Sequence, residues 1–130
     1  MRKAVILGGV GMLFLSLLLF GQEHPGTRMT GKVAILDVET AISDYIEKDE
    51  MLKGRFMIYD DKNDMVRLLN FERLHTVNQL DDGNYFVCAD FVDENKNKLD
   101  LDFYINKEGV GLEVSKLLIH KVNGKSRFNN

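Results

Sequence analysis

Cysteine occurs once in these 130 residues, proline once and tryptophan not at all. A single thiol, Cys88, cannot close a disulfide within the chain, so a folded domain must rest on a packed core. The lone Pro25 excludes proline-rich, collagen-like and mucin-like readings. No internal repeat is visible. The residue patterns of common chemistry are missing as well: no phosphate-binding glycine loop, no dinucleotide fingerprint, no Gly-x-Ser-x-Gly, no paired-cysteine metal motif and no EF-hand-like loop. No cofactor is therefore expected. What remains is an ordinary globular balance, 45% hydrophobic and 28% charged, in a length that suits one domain.

The start of the chain is the most specific signal. Arg2 and Lys3 precede an uncharged run from Ala4 to Phe20, 17 residues long. Positive charge stays on the cytoplasmic side, so the remainder is expected to be exported, to a periplasmic or extracellular location. Gly8, Gly9 and Gly11 weaken a helix there, which suits a signal peptide over residues 1–21 better than a permanent span. Gly21 can end the peptide, although Leu19 stands where a small residue is usual. No cysteine follows the run, which excludes a lipid-modified start of the bacterial lipoprotein type. The alternative is an uncleaved anchor in the inner membrane through residues 4–20, since spanning takes roughly 17–25 residues. In either case the membrane is touched only by this segment.

Charge limits the partners. Of 17 Lys and Arg, removing Arg2 and Lys3 leaves 15 against 20 Asp and Glu, a net of −5. That balance disfavours nucleic acid. From Ser115 onward there is no acid, while Lys116, Lys121, Lys125 and Arg127 are basic. A solubilising edge strand is the plainest account of that end.

Residues 22–31 (QEHPGTRMTG) are polar and read as a linker, with residues 32–130 as one α+β domain. Thr30 or Asp37 is a candidate helix cap. Leu36, Ala41, Ile42, Tyr45 and Ile46 then recur at helical spacing, and Gly54 follows the expected end. From Arg55 the period becomes two. Strands are expected over 55–60, 66–77, 85–92, 98–105 and 112–122, with short turns between them and Asp82-Gly83 as a hairpin signal. Short connections favour an antiparallel meander. The expected fold is one N-terminal amphipathic helix packed on a curved antiparallel meander of about five strands, with a frayed polar tail from Asn123.

That element order, over Thr30 to Val122, resembles the small exported α+β domains of cystatin-like or nuclear-transport-factor-2-like type. Inhibitory cystatins carry a Gln-x-Val-x-Gly hairpin. Gln79 to Gly83 (QLDDG) keeps its ends but has Asp81 in place of the valine. The resemblance thus implies a fold and no protease inhibition.

The candidate site comes from strand alternation. Val87, Ala89 and Phe91 share one side of a strand, as do Leu99, Leu101 and Phe103 of the next. Pairing those apolar sides puts Asp90, Asp100 and Asp102 together on the other. Opposed like charges destabilise a sheet, so solvent, a base such as Lys116 or Arg67, or a cation must offset them. Close carboxylates also predict a raised pKa on at least one. Calcium suits carboxylate oxygens, but nothing here resembles a calcium loop, and no metal is assigned. His24 falls in the linker. His75 and His120 become bases or ligands only if the fold brings them to an aspartate. Cys88 alternates onto the face of Asp90, which reads as an inert thiol of raised pKa. Two functions fit. One is a non-enzymatic binding or structural module of the cell envelope, taking a protein partner or small ligand through Asp90, Asp100, Asp102 and His120. The other is a small pocket enzyme with Asp90, Asp102 or His120 as acid-base groups.

Overall fold

A computed structural model describes residues 28–29, 32–109 and 111–128. The hydrophobic start, His24 and most of the linker lie outside these residues. Among the described residues no helix is long and apolar enough to cross a membrane.

Helix α1 runs over Lys32–Lys53. Val38, Ile42 and Ile46, each four residues apart, are its buried residues, and Ala34 and Ile35 pack beside them. Leu36 was expected on this face and is 63% exposed. The reason is geometric: at about 100° per residue, six positions before Ile42 lies well away from the buried stripe. Asp37 is inside the helix rather than at its cap. Gly54 ends it as expected, with φ +83° and its N–H bonded to Glu50 O at 2.7 Å.

Among the described residues eight strands follow or flank the helix, all paired antiparallel. Five are long: β2 (Phe56–Asp60), β3 (Met65–Leu74), β5 (Tyr85–Asp93), β6 (Lys98–Glu108) and β7 (Gly111–Val122). They pair in the order β2, β3, β5, β6, β7, a meander. Three are two residues long: β1 (Arg28–Met29), β4 (Asn78–Gln79) and β8 (Lys125–Ser126). The fold is therefore α+β with an antiparallel sheet, but with more strands than the expected five. The extra pieces are too short to show a period. β1 lies on β4, which extends the β3 edge of β5, and β8 lies on β7.

The tail expected to fray is ordered by a tight hairpin. Asn123 and Gly124 have φ of 48° and 77°, the two positive values that a two-residue turn between twisted strands requires. The core lies between helix and sheet. Val38, Ile42 and Ile46 meet Val87, Ala89 and Phe91 of β5 and Leu99, Leu101 and Phe103 of β6. Tyr45 packs edge-on to Phe56 and Phe103.

One end of this core is ionic. Asp60, Arg67 and Asp93 are 0%, 3% and 1% exposed. Arg67 donates from Nε to Asp60 Oδ2 at 2.8 Å and from Nη1 to Asp93 Oδ2 at 2.6 Å. Arg127 donates both terminal nitrogens to Asp60, at 2.9 and 2.8 Å. Asn63 completes the shell of Asp60, and Asn95 and Asn97 that of Asp93. Among the described residues no buried side-chain polar atom lacks a partner. Burial alone would push the Asp60 carboxyl up, but Arg67 and Arg127 outweigh it and hold it below the usual carboxylate range. Asp93 is held down in the same way, by Asn97, Arg67 and Asn95 against its burial.

Removing Arg67 would leave Asp93 without its cation in a dry site and Asp60 with Arg127 alone. Arg67→Ala is expected to cost about 3–5 kcal/mol of stability at neutral pH, read by urea denaturation. Depressed carboxylates stabilise above their unfolded pKa and lose that contribution as pH falls through the folded one. The penalty of Arg67→Ala should therefore shrink in acid. A change under about 0.5 kcal/mol would show that the site opens to water.

Candidate functional site

The apolar sides of β5 and β6 pair as their alternation requires: Val87 with Phe103, Ala89 with Leu101 and Phe91 with Leu99. The opposite, outer side then carries its own ladder. Phe86 faces Tyr104, Cys88 faces Asp102, Asp90 faces Asp100, and Val92 faces Lys98. The three aspartates named from the sequence are thus neighbours on two adjacent strands.

Two bulges decide what surrounds them. In β3, Phe71 pairs with Phe91 and Arg73 with Asp90, so Glu72 is an extra residue. Strict alternation would send Arg73 to the side of Phe71; the bulge re-aims it at the acidic ladder. Its Nε lies 2.5 Å from Asp90 Oδ2. In β7, Ile119 pairs with Leu101 and Lys121 with Asp100, so His120 is the extra residue. Both His120 and Lys121 consequently meet the outer face. His120 Nδ1 is 3.2 Å from Asp102 Oδ1, and Lys121 Nζ is 3.9 Å from Asp100 Oδ2.

His75 joins from the loop after β3. Its backbone N–H bonds Cys88 O at 2.8 Å, and its Nε2 lies 2.6 Å from Asp90 Oδ1. His75 and His120 therefore each meet an aspartate. The bases that offset the acids are Arg73, His75 and Lys121, and not the expected Lys116 or Arg67. Lys116 sits over the Tyr104 ring, and Arg67 faces the buried side.

The titration of Asp90 runs opposite to the expectation from clustered acids. Burial raises it, but His75 and Arg73 outweigh burial, and the carboxyl is held below its ordinary value. Cys88 behaves as expected. Burial, then a hydrogen bond to Asp102 and the charges of Asp102, Asp100 and Asp90, push its thiol up to about 12. It is a protonated donor and not a free nucleophile.

The arrangement divides into two halves. Around Asp90 and Asp100 a recess of about 370 Å³ is lined also by Glu72, Arg73, His75 and Lys98. Both oxygens of Asp90 are taken by bases, so this half is not an open oxygen cage for calcium. The other half is Cys88, Asp102 and His120, whose donor atoms all lie within 4.8 Å of one another. Asp102 is 5% exposed, while Cys88 and His120 are partly exposed. The sequence suggested no grouping of these three. Cys88 and Asp102 could be placed opposite each other by alternation, but the register that sets Leu118 against Asp102, and so His120 on the same face, follows a bulge at Ser115 that leaves no mark in the residue order. No family model matches the chain, and no curated protein or solved structure matches it either.

Because Asp90 is held ionised by its bases, Asp90→Asn is expected to lower the melting temperature at pH 7. The group is depressed in the fold, so its contribution is present above the unfolded carboxylate pKa and lost as pH falls through the folded one. The gap between wild type and Asp90→Asn should close in that acid window. A variant more stable than wild type at pH 7 would mean that repulsion from Asp100 outweighs the pairing.

Proposed function

We propose that the chain is an exported, non-enzymatic binding module of the cell envelope whose ligand surface is the outer face of β5, β6 and β7. The observation that carries this is the ladder of Asp90, Asp100 and Asp102 with His120 beside it, set on rigid paired strands away from the helix. Four polar side chains in fixed register on a sheet form a preorganised recognition surface. Helix and sheet fill the inner face with apolar side chains, and the buried Asp60, Arg67 and Asp93 at its end are already paired with one another.

An enzymatic reading has one observation in its favour, the contact of His120 with Asp102. Acid-base work needs more than a pair. It needs a site that positions a substrate and excludes water. The recess at Asp90 is lined by neither Asp102 nor His120. Binding is therefore the reading favoured here. The export half rests on Arg2, Lys3 and the apolar run to Phe20.

Two measurements test it. Residues 1–30 fused to a reporter active only outside the cytoplasm should give an active reporter. An inactive, cytosolic fusion overturns export, and terminal sequencing of the product distinguishes cleavage at Gly21 from anchoring. In the full chain, a photo-crosslinking side chain at Lys116, on the outer face, should form an envelope adduct. One at Leu36, on the helix, should not. Adducts only from Leu36, or from neither position, overturn the outer face as the binding surface.

A further inference from the structure

We propose that Cys88, Asp102 and His120 form a zinc-binding site on the outer face of the sheet, one ligand from each of β5, β6 and β7. This deepens the reading of the outer face as a ligand surface, and it depends on neither export nor a protein partner.

Geometry comes first. A tetrahedral zinc with bonds of about 2.0–2.3 Å holds its donors roughly 3.3–3.8 Å apart. His120 Nδ1 and Asp102 Oδ1 are 3.2 Å apart, close to such an edge. All three donor atoms lie within 4.8 Å of one another, so small side-chain rotations close the set. Cys88 and Asp102 are direct cross-strand partners, and Leu118 pairs with Asp102, so alternation along β7 puts His120 on the same outer face. Three ligands leave a fourth position for water or a donor from a partner.

Donor chemistry selects the metal. Calcium and magnesium demand oxygen, and this set offers only one oxygen ligand. One thiolate, one imidazole and one carboxylate suit zinc, a borderline-soft ion that takes all three.

The surrounding field points the same way. Three carboxylates, Asp102, Asp100 and Asp90, stand on this face of β5 and β6. Such a concentration of negative charge attracts a dication, and a bound dication in turn favours the thiolate at sulfur. On binding, the thiol proton leaves to solvent, neutral imidazole supplies a nitrogen lone pair, and sulfur binds as thiolate. Asp90 and Asp100 keep their own bases, Arg73, His75 and Lys121, and so leave Asp102 to the metal. Phe128 packs on the His120 ring at 6.0 Å, and the Arg127 N–H bonds His120 O at 2.8 Å, so the C-terminal hairpin steadies the third ligand.

The test uses the untagged full chain, with cobalt as a spectroscopic stand-in for zinc. Cys88 is the only cysteine, so a sulfur-to-cobalt charge-transfer band can arise from no other thiol. Cobalt should give that band with the visible spectrum of a tetrahedral site, and one equivalent of zinc should abolish it. Zinc should raise the melting temperature and calcium should not. Cys88→Ser should remove the sulfur band. His120→Gln, which keeps the thiol, should weaken zinc by more than the roughly 10–100-fold typical of losing an outer-shell partner. Circular dichroism confirms that each variant is folded. If both variants unfold, the wild-type cobalt spectrum decides alone. No sulfur band in wild type, undiminished zinc affinity in His120→Gln, or equal stabilisation by calcium overturns the site. Any of these outcomes would leave the crosslinking result at Lys116 untouched, so this proposal and the binding-face reading fail separately.

Discussion

Arg67 is a buried cation with two buried anions, and much of the periphery is arranged around that triad. Asp60 ends β2 and begins the turn into β3; Asp93 ends β5 and begins the turn into β6. Each carboxylate also caps its own turn through Asn63 or through Asn95 and Asn97. The same guanidinium thus ties two hairpin ends together across β3. Burying such a group is costly, and a well-packed apolar trio could be as stable. Its geometry carries more information, however. A planar fork between two fixed carboxylates fixes the relation of the two turns in a way that leucines could not.

Asp60 passes that constraint onward. It takes Arg127 in two parallel hydrogen bonds, and Arg127 stands just past β8. The Asn123-Gly124 turn brings the hairpin back, and the backbone of Arg127 then holds that of His120. A chain of direct contacts therefore runs from the buried triad through the C-terminal segment to the outer face. His120 occupies a bulge, where the regular ladder does not fix it. A second support is what such a position needs if its side chain is to keep one direction.

Much of this was legible in the sequence where one period held without interruption. β5 and β6 alternate cleanly, and that alone placed Asp90, Asp100 and Asp102 on one face and Cys88 beside them. Ile42 and Ile46 mark the buried stripe of the helix, while Leu36 misleads because it is apolar and in the same segment although the helical turn carries it well away from that stripe. Asn123-Gly124 is a hairpin dipeptide set inside a polar tail, so composition alone hides the turn. The buried triad was hidden for a different reason. Asp60, Arg67 and Asp93 border turns, where charged residues are ordinarily solvated, and their burial depends on three strands meeting.

The bulges were the least legible feature and have the largest chemical consequence. A bulge is an agreement between two strands about which residue to skip, and neither strand records it alone. Without the one at Glu72, Arg73 would point to the buried side and Asp90 would face Asp100 with one base fewer. Without the one at His120, that ring and Lys121 could not both face outward. An acidic pair such as Asp90 and Asp100, directly opposed, is unfavourable unless bases stand within reach. The two bulges supply them from the two strands that flank the acidic pair, and leave Asp102 at the side of the ladder where a thiol and an imidazole meet it. The irregularities that make the acidic face tolerable act on Arg73 and Lys121, while the pairing of Asp102 with Cys88 and Leu118 gives that face its only mixed donor set among the described residues, Cys88, Asp102 and His120.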